Sequence, residues 1–145
     1  MKLQHDTWVV VADGGKYLLL RNRGDAQTPV LNVILHDEID NPPDQMQSSD
    51  RPGRMPDPSS ARSALEETDW HRVGKQQFAA ELADRLRNWV AQKRFKALVV
   101  VADPRTLGEL RKAYGTDLNG VLVAELDKDL TNAPISRIED VLAQA

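Results

Sequence analysis

Two stretches of this chain read alike: "VVVAD" occurs at positions 9–13 and again at 99–103, each an apolar, β-branched run closed by a carboxylate. In α/β proteins ligands bind beyond the carboxyl ends of the strands. Asp13 and Asp103 could there chelate magnesium for two-metal phosphodiester hydrolysis. Each residue also has a local reading. Asp103 precedes Pro104, the pairing of N-cap and first helical residue that opens a helix. Asp13 precedes Gly14-Gly15, a turn that its side chain can close. The strand interiors offer no further carboxylate, so the cap and turn roles are expected. A magnesium-dependent nuclease stays as the third functional reading; no metal and no cofactor are expected.

The second chemical feature is cationic. Positions 37–74 form a proline-rich and mostly polar stretch, much longer than the connections of about 12–15 residues that compact domains tolerate without a reason. Pro42, Pro43, Pro52, Pro56 and Pro58 stiffen it. Within it "DRPGR", Asp50, Arg51, Pro52, Gly53 and Arg54, sets two guanidinium groups around a glycine turn. Planar, bidentate donors of this kind suit phosphate or carboxylate. Trp70 and His71 suggest that the far end of the stretch is packed. A second cationic feature is a possible basic patch of Arg85, Arg105 and Arg111, with Arg87, Lys93, Arg94, Lys96 and Lys112 nearby in sequence. Such a patch could meet RNA through counterion release, or be the solvated face of amphipathic helices.

Other chemistries are excluded or unsupported. With 0 cysteines the chain has no disulfide, thiolate metal site or cysteine nucleophile. His5, His36 and His71 do not show metal-ligand spacing. Gly14-Gly15 lacks the remaining residues of a phosphate loop. No serine stands on a strand-to-helix elbow of the hydrolase type. These exclusions leave the question of catalysis open and favour a non-enzymatic role.

The elements that must position these residues can be read from periodicity. Positions 7–13 form a strand buried on both faces, Gly14-Gly15 a hairpin turn, and "KYLLLRN" the partner strand. A third strand covers 28–36. After the long loop, Phe78, Leu82, Leu86, Trp89 and Val90 mark the inner face of a helix over 78–94. A strand at 95–103 follows, then a helix with Leu107, Leu110 and Tyr114 inside. The last strand spans 120–127, and a final helix beyond Pro134 turns Ile135, Ile138 and Leu142 inward. The order β-β-β-α-β-α-β-α implies a single α/β domain with a five-stranded mixed sheet, as in the ribonuclease H-like group.

Composition agrees. A chain of 145 residues fits one domain over 1–145, and 41% hydrophobic with 28% charged residues and a net charge of −3 is ordinary for a soluble protein. No stretch approaches the roughly 20 apolar residues of a membrane span and no export signal is evident, so a cytoplasmic location and no membrane partner are expected.

Taken together, "TWVVVADGGKYLLLRN", "SDRPGR", the run from "FAAELADRLRNWV" to "LVVVADPRTLGELRKAYG", "ELDKDLT" and "PISRIEDVL" resemble the bacterial host attachment protein family. More distantly, the layout is similar to the middle domain of archaeo-eukaryotic class I peptide-chain release factors. In that domain the loop between the third strand and the first long helix carries a Gly-Gly-Gln tripeptide, which this chain lacks. The first resemblance implies an intracellular binding protein that meets a macromolecular partner through Asp50–Arg54. The second implies an RNA- or ribosome-associated factor using the same loop without peptide release. The oligomeric state is not encoded in these motifs.

Overall fold

A computed structural model describes residues 1–38 and 60–145 of the chain. Among them are five strands, β1 (Trp8–Ala12), β2 (Lys16–Asn22), β3 (Leu31–Glu38), β4 (Leu98–Ala102) and β5 (Leu122–Leu126). Three helices accompany them: α1 (Ser60–Ala91), α2 (Pro104–Tyr114) and α3 (Ile135–Gln144). The strands form one mixed sheet in the order β3-β2-β1-β4-β5. β1, β2 and β3 pair antiparallel, while β4 lies parallel to β1 and β5 parallel to β4. This is the α/β architecture expected from the element order.

The central pair explains itself. Every residue of β1 and β4 is buried, so both faces of these all-apolar strands are covered. Trp8, Val10, Ala12, Leu98, Val100 and Ala102 face one layer, formed by α1 and α2. Val9, Val11, Val99 and Val101 face the other, closed by Ile138 and Leu142 of α3. Residues two apart share a face, and the two cores follow from that period alone.

α1 runs across the first face. Phe78, Ala79, Leu82, Ala83 and Leu86 are all buried, a stripe at helical spacing that lies in the first core. Its end is a Schellman-type stop. The Arg94 N–H donates to Trp89 O and the Lys93 N–H to Val90 O, with Lys93 in the left-handed region at φ 56°.

The third strand and the first helix differ in extent from the sequence expectation. The third strand begins at Leu31 rather than 28, because Pro29 has no N–H and the Val30 N–H is taken by the Asn22 side chain at 2.9 Å. It also runs on through Asp37 and Glu38, the latter paired with Lys16. The long connection expected over 37–74 is accordingly shorter, since residues 60–74 belong to α1. Ala61, Arg62, Ala64, Leu65, Glu66 and Glu67 are strong helix formers that follow the last proline of the stretch, Pro58. The helix expected over 78–94 is thus 32 residues long.

The direction of α1 gives those added turns a place. A Cβ built on Gly14 would lie 3.6 Å from Lys75 Cγ, so α1 meets the β1–β2 turn at Lys75. Fourteen residues later Trp89 stacks edge-on against Trp8 at the other end of β1, with ring centroids 5.9 Å apart. Residues 60–74 precede the contact with the turn. At 1.5 Å per residue they amount to about 22 Å of helix.

Candidate functional site

The carboxyl end of β1 and β4 is where the sequence directs attention. The register Ala12↔Ala102 sets Asp13 and Asp103 at the same end of neighbouring parallel strands. Both are engaged locally. Asp13 Oδ1 accepts from the N–H groups of Gly15 at 3.0 Å and Lys16 at 2.9 Å. These bonds hold the turn in which Gly14 adopts φ 97°. A side chain at Gly14 would be strained by that φ, and its Cβ would press within 3.1 Å of Thr106 Oγ1. Asp103 caps α2, with Oδ2 accepting from the Thr106 N–H at 3.2 Å and Oδ1 from the Thr106 hydroxyl at 2.7 Å.

One contact at this end was not legible in the sequence. Thr131, buried, places its Oγ1 3.2 Å from Asp13 Oδ2 and 3.0 Å from Asp129 Oδ1. Its single hydroxyl proton is shared between two carboxylates, which ties the segment before α3 to the β1 turn. Lys16 Nζ adds a 2.8 Å bond to Asn132 Oδ1. Among the described residues no group of three or more His, Asp or Glu could hold a metal ion. Asp13 and Asp103 already accept three and two hydrogen bonds in their turn and cap roles.

The arginines named from the sequence are dispersed. Arg85 Nη1 donates to Tyr17 Oη and to Asp37 Oδ2, both at 2.7 Å, and its guanidinium carbon stands 5.7 Å from the centre of the Tyr17 ring. That hydrogen bond, helped by the Glu38 N–H, holds the Asp37 carboxyl below its ordinary range. Arg85 therefore serves the β2–β3 side of the sheet. Arg111 Nε donates to Glu125 Oε1 at 3.0 Å on β5, at the opposite edge. The same carboxylate accepts from Tyr114, and burial first, then Glu125, pushes that phenol well above its ordinary pKa. Arg105 is exposed in the first turn of α2. The structure thus brings these three together into no common patch. Asp50, Arg51, Pro52, Gly53 and Arg54 lie outside the described residues.

Asn22 is the structural hub that sequence reasoning passed over. It is fully buried at the end of β2. Its Nδ2 donates to Leu3 O at 2.9 Å and Gln4 O at 3.2 Å, and its Oδ1 accepts from Gly24 N and Val30 N, each at 2.9 Å. An asparagine that closes a strand just before Arg-Gly is the sequence signal for such a turn. Gly24 is required beside it, because a Cβ there would stand 2.1 Å from Thr28 O.

No helix among the described residues is long and apolar enough to cross a membrane. No curated protein matches the chain. The family model described as bacterial archaeo-eukaryotic release factor family 12 matches residues 6–142, which include every strand of the fold and all of its helices but the last two residues of α3. That match agrees with the resemblance to release factors, and the chain belongs to bacterial archaeo-eukaryotic release factor family 12.

Proposed function

We propose that this protein is an RNA- or ribosome-associated factor of the release-factor type that does not catalyse peptide release. The observation that carries the reading is the family match over residues 6–142, spanning a chain with no Gly-Gly-Gln. In the related middle domain that tripeptide sits between the third strand and the first long helix. Here the same interval, residues 39–59, carries Arg51 and Arg54 around Gly53. Guanidinium groups contact phosphate through paired N–H donors and supply position rather than hydrolysis. Residues 60–74 of α1 lengthen the helix that follows that interval.

The host attachment reading, with an intracellular protein partner, draws on sequence resemblance alone. The nuclease reading is disfavoured by the turn and cap bonds that Asp13 and Asp103 already make. Cosedimentation with ribosomes tests the proposal. Wild-type protein is expected in the ribosomal pellet at low salt and progressively in the supernatant as salt rises. Arg51→Ala/Arg54→Ala is expected to lose at least tenfold in apparent affinity. Wild-type protein that stays in the supernatant at low salt would overturn the reading.

A further inference from the structure

The amino end of the sheet carries a feature that neither the family nor the segment 39–59 accounts for. Trp8, the first residue of β1, pairs with Arg21 on one side and Leu98 on the other. Three segments remote in sequence therefore converge there: residues 4–7 before β1, 21–23 at the end of β2, and 93–97 before β4. Between them, with β3 as a wall, lies a groove of about 730 Å³. That is the size of sites that accept a substantial ligand.

The lining is electrically one-sided. Arg21, Arg23, Lys93, Arg94 and Lys96 contribute cations, and Asp6 is the one carboxylate among the described lining residues. Asp6 is consumed by Arg21, whose Nε and Nη2 reach Asp6 Oδ1 at 2.8 and 2.7 Å. His5 approaches the same oxygen at 3.4 Å. Arg94 Nε donates only to the neutral Gln92, at 2.8 Å. Arg23, Lys93, Arg94 and Lys96 thus have no carboxylate partner among the described residues, and all four side chains are exposed. This concentration of positive charge stands on a chain whose net charge is −3.

Two further observations set the groove apart from an ordinary solvated surface. Among the described residues, the non-glycine residues with positive φ are Asp6 (φ 68°) and Lys93 (φ 56°), and both line it. Asp tolerates that region, but a lysine at a helix stop where glycine is usual holds a cation in place against a backbone cost. The wall is also apolar and open: Val33 is 42% and Ile34 44% exposed, beside the unpaired cations.

We propose that this groove binds single-stranded RNA, its phosphates on Arg23, Lys93, Arg94 and Lys96 and its bases against Val33 and Ile34. Cations that track a backbone beside an apolar surface that receives base faces are the combination single strands require. The proposal deepens the RNA-association reading and rests on it, while placing a contact at the opposite end of the sheet from Glu38, the end of β3.

Fluorescence anisotropy of a short fluorescein-labelled oligouridine, titrated with the full chain over a series of salt concentrations, tests it. Wild-type protein is expected to bind, with log affinity falling linearly against log salt. Lys93→Gly/Lys96→Gln removes two charges, and glycine fits the left-handed backbone at 93, so the fold is kept. This variant is expected to bind at least tenfold more weakly, with a salt slope shallower by about 1.4, at about 0.7 for each phosphate that is no longer neutralised. Wild-type affinity and slope in the variant, at an unfolding midpoint no lower than that of the wild type, would overturn the groove. Arg51→Ala/Arg54→Ala on the same oligonucleotide separates the two surfaces. Weaker binding in that variant alone sinks the groove and leaves ribosome association through 39–59 standing; weaker binding in the groove variant alone supports the groove and counts against the loop arginines. Absence of binding by the wild-type chain overturns the groove, whereas the ribosome pelleting experiment decides the broader reading. Polyglutamate that displaces the oligouridine as well as unlabelled RNA does, at matched charge, would assign the groove to an acidic protein segment and overturn the RNA proposal.

Discussion

The two ends of the β1–β4 pair are opposites. At the carboxyl end, the usual place for ligands in α/β sheets, Asp13 and Asp103 turn onto backbone N–H groups and hydroxyls. At the amino end, cations from two segments surround an open groove, and the one carboxylate among the described lining residues is already taken. The carboxyl end satisfies its polar groups internally; the amino end leaves charge for something else to satisfy. Position on the sheet is therefore a poorer guide to a binding surface in this molecule than the state of each polar group.

The contrast can be tested through stability, since groups that hold the fold should be costly to remove and groups that wait for a ligand should not. The largest effect is expected at Asn22, which belongs to the framework beneath the amino end rather than to its surface. Asn22→Leu would strand the Leu3 and Gln4 carbonyls and the Gly24 and Val30 N–H groups that it now satisfies. Unsatisfied buried groups cost about 1–3 kcal/mol each, partly relieved where water can enter. A loss of about 3–4 kcal/mol is expected from urea unfolding followed by far-ultraviolet circular dichroism. A loss below about 1 kcal/mol would mean that the turn does not depend on its buried amide.

Next in size come matched substitutions at the two ends. Asp103→Ala removes the cap of α2 and should cost about 1 kcal/mol, within the usual range for N-caps. Lys93→Gly at the other end should instead stabilise by about 0.5–1 kcal/mol, because a non-glycine residue in the left-handed region is strained. Opposite signs in the same unfolding assay are the expected result. A lysine worth more to the fold than glycine at that helix stop would make it structural and erase the contrast.

How far the sequence revealed these features follows from what each one depends on. The order of elements and the burial of β1 and β4 were legible because unbroken runs of valine have few other folds available to them. Asp103 was legible as a cap because Asp-Pro is a local signal. The first half of α1 was not, because the apolar stripe from Phe78 to Leu86 that reveals the second half does not extend into its sequence. Residues 60–74 have helix-forming composition without that stripe, and they read as loop. The groove was illegible for a different reason. Lys93, Arg94 and Lys96 stand out as a basic helix exit, but their meeting with Arg21 and Arg23 depends on the register Trp8↔Arg21 and Trp8↔Leu98. Pairing register is a property of the assembled sheet.

The smallest expected effect concerns the pair that bridges α1 to the β3 edge. Arg85 and Asp37 are 37% and 44% exposed, so their ion pair lies in well-solvated surroundings and should contribute less than about 1 kcal/mol. Its signature is in the titration. The Arg85 hydrogen bond lowers the folded pKa of Asp37 below its unfolded value. The pair therefore stabilises the protein fully above the unfolded pKa, and its contribution is lost as pH falls through the lowered folded one. Carbon-detected NMR of the Asp37 carboxyl should show a midpoint below the ordinary aspartate range in the wild type and a return toward it in Arg85→Gln. The same substitution removes a donor from the Oη of the buried Tyr17, so any stability lost beyond the ion pair's share belongs to that phenol. An Asp37 midpoint that ignores Arg85→Gln would show that the arginine is not held by this carboxylate. It would then be available to a ligand, and the contrast between satisfied and waiting cations would no longer follow the two ends of the sheet.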